Sequence, residues 1–153
     1  MGCGFGKSTR PFYRTLPDAD VTAVDLAAPC LNVAGLQASQ DQARNVRFLQ
    51  KNAYETGLPD RSFDLVTSTM VLHEMPPEKI EATMAEAARL LAPGGRMVHL
   101  DFHHLPDAFS RFIHYGHGRR NNEVYMEPWA EMDIAALLRK QGFTDVTVTP
   151  FAE

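Results

Sequence analysis

Glycines at alternate positions near the amino end constrain this chain more than any other feature. Residues 1–9 read Met-Gly-Cys-Gly-Phe-Gly-Lys-Ser-Thr, with glycine at positions 2, 4 and 6. Because glycine has no Cβ, such a stretch can turn tightly and bring backbone amides against a polar ligand. A helix predicted to start at Ser8 or Thr9 would add the unpaired amides of its first turn. The pattern predicts the ligand-binding corner of a doubly wound α/β domain.

The composition is that of a globular domain. The chain has 153 residues, 44% of them hydrophobic and 22% charged, which predicts one domain over residues 1–153 with a single core. A net charge of −4 with scattered Lys and Arg argues against a nucleic-acid partner. No apolar run reaches membrane-spanning length, so no membrane partner is expected. Cys3 and Cys30 are too few for a disulfide framework, so we expect a reduced, cytoplasmic protein.

Strand-like and helix-like segments alternate along the chain. Apolar periodicity and breaker residues predict strands over 20–26, 46–49, 63–68, 96–102 and 145–151. They predict helices over 8–16, 27–43, 78–91 and 129–141. Residues 103–128 are expected to form a long irregular loop, of a length typical of functional lids. The alternation predicts a mostly parallel sheet with helices on both faces.

Five motifs, in order and at suitable spacing, resemble those of the class I S-adenosylmethionine-dependent methyltransferases of the small-molecule type. Gly-Cys-Gly-Phe-Gly at 2–6 resembles the glycine motif, and Asp25 the acidic residue that ends the next strand. Asn52-Ala53 stands where that family usually has Asp-Ala. The family's next motif, a strand with the turn after it, is matched by residues 63–66 with 72–73. The turn before the following strand is matched by residues 89–95. The resemblance covers nearly the whole chain.

The resemblance implies a Rossmann-like fold, S-adenosylmethionine as cofactor and a small-molecule methyl acceptor. The implied cofactor contacts are Gly2, Cys3, Gly4 and Gly6 for methionine and ribose, Asp25 for the ribose hydroxyls, Leu26, Asn52 and Ala53 for adenine, and Ser68 for the methionine side. Asp25 also suits this role chemically, because a carboxylate can accept hydrogen bonds from two vicinal hydroxyls. Asn52 can still accept from the adenine amino group through its amide oxygen.

Two elements of that family are missing from this sequence. These are the first strand, which leads into the glycine motif, and the last, antiparallel strand. A parallel sheet without a central strand has unpaired backbone groups and an apolar gap. We therefore interpret the chain as a domain that is incomplete at both termini, through a mis-assigned start or trimming. The gap is expected to favour a homo-oligomer or a strand-completing partner.

His73 and Glu74 follow the strand predicted over 63–68, at the edge where such sheets bind ligands. His73 is our candidate catalytic residue, as a general base for the methyl acceptor. The alternative is a rim histidine beside a solvated carboxylate. His99 lies inside a predicted strand, which favours a structural role.

The 103–129 region carries further polar and aromatic residues of the kinds that form acceptor or metal sites. His103, His104, His114 and His117 fit no compact ligand spacing, so no metal is predicted. Two roles stay open for the aromatic residues of this region, either to line an acceptor pocket or to cover the sheet. These residues are Tyr115, Tyr125 and Trp129.

Two other nucleotide-binding motifs compete for the same glycines. Gly-Lys-Ser-Thr at 6–9 resembles part of a phosphate-binding P-loop, but Met1 occupies the position of its first glycine. Lys7 and Ser8 replace the last glycine of a nicotinamide-binding fingerprint. Three functions stay open: an active methyltransferase, a non-catalytic or partner-completed methyltransferase fragment, and a P-loop nucleotide-binding protein.

Overall fold

The protein is an α/β domain, seen in a computed structural model that describes residues 1–102 and 105–150. Its strands are β1 (Val21–Asp25), β2 (Val46–Gln50), β3 (Phe63–Thr69) and β4 (Leu91–Leu100). Its helices are α1 (Arg10–Thr15), α2 (Ala28–Gln40), α3 (Pro77–Leu90), α4 (Ala108–Asn121), α5 (Met126–Ala130) and α6 (Ile134–Lys140). A 3₁₀ turn, Leu72–Glu74, joins β3 to α3. The predicted alternation of strands and helices is confirmed through α3 and β4.

The strands form two parallel ladders. β1 pairs with β2 from Val21 opposite Val46 to Asp25 opposite Gln50. β3 pairs with β4, with a register shift between Phe63 and Leu65. Over the described residues, no ladder joins β1 to β3. The parallel sheet is therefore interrupted between β1 and β3 in the described part of the chain.

Helix α3 contributes to both clusters of the hydrophobic core. Its buried apolar side chains, Ile80, Met84, Ala87 and Leu90, recur at helical spacing and form the face expected from the sequence. Ile80 and Met84 pack with Leu72, Trp129 and Ile134 in one cluster, and Ala87 and Leu90 pack with Val66 and Leu91 in a second. Burial of each large apolar side chain contributes roughly 1.5–3 kcal/mol, so α3 holds β3, β4 and the carboxyl-terminal helices together.

The predicted irregular loop over 103–128 is wrong for most of its length, because α4 and the start of α5 occupy it. Asp107 caps α4 by accepting a 2.7 Å hydrogen bond from the Ser110 amide. The helix ends at Asn122, whose φ of 59° is left-handed. The segment lacks a clear apolar stripe, and Phe109 and Phe112 are exposed, which is why periodicity did not indicate a helix.

Two predictions at the carboxyl end are also wrong. The single helix over 129–141 is divided into α5 and α6, because Asp133 starts a new helix by accepting a 2.8 Å hydrogen bond from the Ala136 amide. Residues 145–150 form no strand, and Phe151 lies outside the described residues. A segment with alternating apolar residues forms a strand only where a neighbouring strand can pair with it. In this segment Val148 is exposed.

Candidate cofactor and acceptor site

The three glycines of the amino-terminal turn all have left-handed backbone angles, with φ of 65° at Gly2, 49° at Gly4 and 77° at Gly6. A Cβ on Gly2 would lie 2.4 Å from Val71 Cγ2, and one on Gly6 would lie 2.9 Å from Ala34 Cβ. A Cβ on Gly4 would meet no atom within 4 Å. Gly2 and Gly6 thus permit close packing, whereas Gly4 borders open space in which a ligand can lie.

Internal hydrogen bonds hold this turn. The Cys3 amide donates to the Val24 carbonyl at 3.0 Å, and the Gly6 amide donates to the Cys3 carbonyl at 2.8 Å. The Gly6 carbonyl accepts from the Thr9 and Arg10 amides at 3.1 and 2.9 Å. The expectation that the first helical turn offers unpaired amides is therefore wrong for Thr9 and Arg10.

Asp25 lies at the carboxyl end of β1 and faces the glycine turn. Its Oδ2 accepts a 2.7 Å hydrogen bond from the Gly4 amide, and its Oδ1 accepts a 2.8 Å hydrogen bond from the Ala27 amide. An ionised carboxylate has about four lone-pair sites, so both oxygens can accept further donors such as vicinal hydroxyls. The side chain is half-buried, which leaves it within reach of a ligand.

The candidate adenine residues lie beyond Asp25. Leu26 is 60% exposed and offers an apolar surface next to the carboxylate. The Lys51 amide donates to the Asp25 carbonyl at 2.9 Å, which brings the chain just before Asn52 against the end of β1. Asn52 forms an isolated bridge with Glu55, and Ala53 is buried.

Asp101, just after β4, organises the turn that carries His73. Its fully buried carboxylate accepts hydrogen bonds at Oδ2 from the amides of Leu72 at 2.9 Å, Val71 at 3.2 Å and His73 at 3.4 Å. Its Oδ1 accepts from the Phe102 amide at 2.8 Å and bonds the Nδ1 of the His73 ring. Sequence reasoning did not assign Asp101 to the site. Asp101 follows β4, and β4 is the neighbour of β3, the strand that ends just before His73. Its place at the same edge of the sheet is the sequence signal that could have identified Asp101.

The His73–Asp101 pair shifts both ionisations. The hydrogen bond that His73 donates to Asp101 raises the pKa of His73 above its usual value, against the opposing effect of burial. Burial by itself would raise the pKa of Asp101, but its bonds to His73 and to the Phe102 amide outweigh this and lower it. Because ionised Asp101 can only accept, Nδ1 of His73 must donate to it. Nε2 of His73 then points away from the pair, 3.6 Å from Glu74 Oε1.

Ser68 and His99 lie beside this pair, within the β3–β4 ladder. Ser68 Oγ and His99 Nδ1 are 2.7 Å apart, and His99 Nε2 is 3.7 Å from Asp101 Oδ2. Ser68 is buried, and its hydroxyl is engaged by His99. The glycine turn and the turn carrying His73 meet through the packing of Val71 against Gly2.

The aromatic residues near α4 divide between the core and the site. Trp129 is 1% exposed and donates its indole N–H to the Phe102 carbonyl, so it covers the sheet. The Phe102 ring lies 5.9 Å from that of His73 and 6.2 Å from that of His114. Burial lowers the pKa of His114. The Tyr115 hydroxyl donates to Glu131 at 2.5 Å on the surface.

Neither a metal cluster nor a reactive thiol emerges from the residues that the structure describes. No group of three or more His, Cys, Asp or Glu side chains among them could hold a metal ion. His103 and His104 lie outside the described residues. Burial and the nearby Asp25 raise the pKa of Cys3 to about 11, which argues against a nucleophilic thiolate at this position.

Comparison with known proteins identifies the family. A family model described as "Methyltransferase domain" matches residues 1–95, which include the glycine turn, Asp25 and His73. The chain belongs to the class I S-adenosylmethionine-dependent methyltransferases. Along 96% of its length it is 34% identical to a demethylmenaquinone methyltransferase of Tropheryma whipplei, of which it covers 66%.

Solved methyltransferase structures agree with the fold. One is an arsenic(III) S-adenosylmethionine methyltransferase of Chlamydomonas reinhardtii, which matches 94% of this chain at 30% identity and a TM-score of 0.71; the match covers 50% of that protein. Another is a Haemonchus contortus phosphoethanolamine N-methyltransferase in complex with S-adenosyl-L-methionine, with a TM-score of 0.70 at 20% identity over 94% of this chain and 32% of that one.

Other comparisons bear on partners and length. The methyltransferase relatives include the tRNA N(3)-cytidine methyltransferase METTL2 of Danio rerio, 28% identical over 73% of this chain and 33% of that protein. The predicted exclusion of nucleic acid is therefore not supported. The chain spans between 34% and 66% of the length of the first curated relatives that it matches. None of the helices described here is long and apolar enough to cross a membrane.

Membership of this family excludes the P-loop interpretation. In a P-loop the glycine amides bind phosphate. Here the Gly4 amide donates to Asp25, so a carboxylate lies where a phosphate would have to approach. The family match also covers all of residues 6–9, on which the P-loop resemblance rested.

Proposed function

We propose that this chain transfers a methyl group from S-adenosylmethionine to a small-molecule acceptor that carries an ionisable O–H or N–H group. The observation that carries the proposal is the carboxylate of Asp25, held across from the glycine turn by the amides of Gly4 and Ala27. A carboxylate in that position repels phosphate but accepts hydrogen bonds from a ribose diol.

The residues around Asp25 fit an adenosyl group. Open space at Gly4 supports contact between the backbone and the methionine and ribose parts, with Gly2, Cys3 and Gly6 holding the turn. Exposed Leu26 supports stacking on adenine, with Asn52 and Ala53 as further adenine contacts. Ser68, whose hydroxyl bonds His99, is the weaker candidate and would line the methionine side through its backbone.

We assign His73 as the general base for the acceptor. The cofactor, when bound, supplies an electrophilic methyl group on a sulfonium. Nδ1 of His73 donates to Asp101, so Nε2 is the ring atom that can take a proton from the acceptor. The imidazolium that forms is stabilised by the buried Asp101 carboxylate, and the raised pKa of His73 suits a base near neutral pH.

The acceptor class is inferred from this base. Relatives are named for acting on demethylmenaquinone, a tRNA cytidine and arsenic(III). The proposed base favours the first kind of acceptor in its reduced, quinol form, because a weakly acidic quinol hydroxyl must lose a proton for the ring to react. Location in the cytoplasm stays a prediction.

A partner-completed domain is the second candidate, in which cofactor binding needs the sheet to be completed. It is favoured by the interruption between β1 and β3 in the part of the chain that the structure describes. The strand that completes the sheet would come from a partner protein or from another copy in a homo-oligomer.

Calorimetry followed by a methyl-transfer assay tests these alternatives. The purified chain is titrated with S-adenosylmethionine and, separately, with ATP and magnesium. Binding of the first alone is expected, and binding of the second alone would overturn the proposal. Tritiated methyl transfer is then measured with a short-chain demethylmenaquinol, phosphoethanolamine, arsenite and tRNA. Transfer to the quinol supports the acceptor class, transfer to tRNA alone contradicts it, and cofactor binding without any transfer supports the second candidate.

A further inference from the structure

The ring of His73 is almost closed off from solvent, since the residue is only 6% exposed. A general base has to come within hydrogen-bond distance of the group whose proton it takes. An acceptor can therefore reach His73 only when an element that covers it moves away. Elements that open locally are those with few buried apolar contacts.

Helix α4 is held more loosely than its neighbour α5. The buried residues of α4 are His114 and Gly118, whereas Phe109 and Phe112 of the same helix are largely exposed. Helix α5 packs against both α4 and the 3₁₀ turn that carries His73, and it is anchored by the fully buried Trp129. Of these two helices, α4 is therefore the one that can move while the core stays intact.

Polar contacts at the surface add little to this attachment. The Tyr115 hydroxyl donates to Glu131 at 2.5 Å, and Arg119 Nε donates to Glu127 at 2.8 Å. Exposed pairs of this kind contribute at most about 1 kcal/mol each. The buried His114 thus becomes the main contact between α4 and the site.

His114 meets the His73 turn through one aromatic ring. The Phe102 ring lies 5.9 Å from the ring of His73 and 6.2 Å from that of His114. His114 also has a hydrogen bond to the Met126 backbone. Its Nε2 is buried and has no hydrogen-bond partner among the residues that the structure describes. An imidazolium donates from both nitrogens, so the closed position of α4 tolerates a neutral His114 ring far better than a charged one.

The ionisable groups around His114 come from the His73 turn, from β4 and from α4 itself. His73 and His117 oppose a positive charge on His114, and Asp101 favours one. Asp101 is already engaged by His73 and by backbone amides, and Glu123 lies 3.5 Å from His117 Nε2. The carboxylates of α5 and its cap are engaged in the two surface pairs with α4. None of these groups bonds Nε2 of His114.

We propose that α4 is a lid over His73, which is closed while the His114 ring is uncharged and opens when that ring takes up a proton from solvent. In the open position water supplies the partner that Nε2 lacks in the closed one. Asn122, which ends α4 in a left-handed conformation, lies where the lid joins α5. The role of the lid in methyl transfer rests on the proposed function, because it is there that His73 meets the acceptor.

Acid favours the open position of this lid. Burial lowers the pKa of His114 below 6.5 in the closed position, whereas an exposed ring titrates near its ordinary value. Opening therefore takes up a proton. The equilibrium shifts toward the open form as the pH falls through 6.5, until the pH reaches the lower pKa of the closed form.

Amide exchange of the purified chain tests the dependence on pH. Mass spectrometry follows the exchange at several pH values on both sides of 6.5, with correction for the intrinsic exchange rates. Protection of the α4 amides should fall by roughly tenfold on the acid side, while that of the α3 amides is retained. His114→Phe keeps an aromatic ring but cannot titrate, so its α4 protection should not depend on pH. His117→Gln is the matched control and should behave like the wild type.

Three outcomes would overturn the pH-dependent opening. They are α4 protection that does not change with pH, the same change in His114→Phe, and parallel loss of protection in α3, which would be global unfolding. Should circular dichroism show that His114→Phe is unfolded, His114→Gln takes its place. NMR titration of the His114 ring in the wild type should give a pKa below 6.5, and a higher value would equally overturn the proposal.

Two glycines of α4 test whether the lid covers His73. A Cβ on Gly118 would lie 3.2 Å from Met126 Cβ and from the Glu123 carbonyl, whereas a Cβ on Gly116 would meet no atom within 4 Å. Gly118→Val should therefore loosen α4 at constant pH, and Gly116→Val should not. Modification of His73 by diethyl pyrocarbonate, measured by mass spectrometry, should be several times faster in Gly118→Val than in Gly116→Val.

Equal modification rates of His73 in these two variants, with α4 loosened in the first, would show that α4 does not cover the ring. None of these measurements uses the cofactor or an acceptor. A lid that opens without any methyl transfer would therefore leave this inference standing while the proposed function fails, and the reverse result would separate them equally.

Discussion

The Gly4 amide donates a 2.7 Å hydrogen bond to Oδ2 of Asp25, which ties the glycine turn to the carboxyl end of β1. The bond joins residues 21 positions apart in sequence. The bond holds the carboxylate beside the glycine turn, where the proposed ribose hydroxyls would need an acceptor.

Substitution Asp25→Ala should weaken S-adenosylmethionine binding by about 1–3 kcal/mol, because the ribose hydroxyls lose their acceptor. Isothermal titration calorimetry measures the change. Asp25→Asn, which keeps one oxygen acceptor, should lose less. The matched control is Asp20→Ala, an exposed acid just before the other end of β1, which should bind normally. Unchanged affinity in Asp25→Ala would remove the ribose assignment.

Substitution Asp101→Asn should lower the pKa of His73, because burial then opposes the imidazolium without a facing carboxylate. Titration of the His73 ring protons by NMR measures this shift. Asp107→Asn removes the cap carboxylate of α4 instead and should leave the His73 pKa as it is. A His73 pKa that does not move in Asp101→Asn would contradict the pairing.

The same pair makes stability depend on pH in a definite direction. The pKa of His73 is raised on folding. Its contribution to the free energy of unfolding is therefore complete below the unfolded-state pKa of 6.5 and is lost as the pH rises through the folded-state pKa. The pKa of Asp101 is lowered from 3.8, so its contribution is present above that pH and is lost in acid, as pH falls through the folded value. Urea unfolding at several pH values measures this dependence. The free energy of unfolding of the wild type should exceed that of Asp101→Asn by the largest amount at pH values between 3.8 and 6.5.

Substitution His73→Gln should slow methyl transfer to a weakly acidic acceptor by roughly 10²–10⁴-fold, the usual contribution of a general base. The affinity for S-adenosylmethionine should change little, because His73 is not a proposed cofactor contact. His117→Gln, at an exposed histidine of α4, is the control and should retain full activity. Steady-state rates with the acceptor identified in the transfer assay supply the measurement. A fully active His73→Gln enzyme would make His73 a structural residue.

Glu86 of α3 should contribute more to stability than another acid on the same helix. Its Oε1 accepts from the buried Thr56 amide at 2.8 Å and from the Thr56 hydroxyl at 2.5 Å, and Arg89 bonds both of its oxygens. Glu86→Ala should lower the free energy of unfolding by about 2–3 kcal/mol, because Thr56 loses its partner. Glu81→Ala breaks only an exposed pair with Lys140 and should lose at most about 1 kcal/mol.

Urea unfolding at pH 7 compares these two variants, and equal losses would contradict the prediction. The bonds from Arg89 and Thr56 lower the pKa of Glu86 from 4.5 to about 2. Glu86→Ala should therefore lose more free energy of unfolding than Glu81→Ala, with the full difference above pH 4.5 and a smaller one as the pH falls toward 2.

Gly35 within α2 and Gly6, which packs against α2, should respond to alanine in opposite directions. Gly35 lies within α2, and a Cβ there would meet no atom within 4 Å. Gly35→Ala should raise the free energy of unfolding by about 0.4–1 kcal/mol, mainly by restricting the unfolded chain. Gly6→Ala should lower it by at least about 1–2 kcal/mol, because φ is 77° and the new Cβ would press on Ala34. Thermal and urea unfolding give both values, and a gain in each variant would be the contradicting result.

Short-range patterns in the sequence predicted much of this domain. The apolar face of α3 and the breaker residues around β1 and β2 are local, so their physics can be read without knowing the neighbours. Helix α4 was missed because its side chains are polar or left exposed, and capping by Asp107 is a weaker signal than an apolar stripe. The strand over 145–151 was predicted wrongly because alternation does not reveal whether a partner strand exists.

The amino-acid sequence alone determined the family and the parallel α/β class, because glycine spacing and strand-ending acids express their chemistry locally. It also predicted the candidate cofactor contacts. Tertiary structure alone decided that Asp101 bonds His73 and that β1 and β3 stand apart. Both depend on residues distant in the chain, 28 positions apart for Asp101 and His73, which are brought together only by the packing of α3 and the pairing of β3 with β4. No local pattern encodes such a distance, because a hydrogen bond or an unpaired edge exists only once its neighbours are in position.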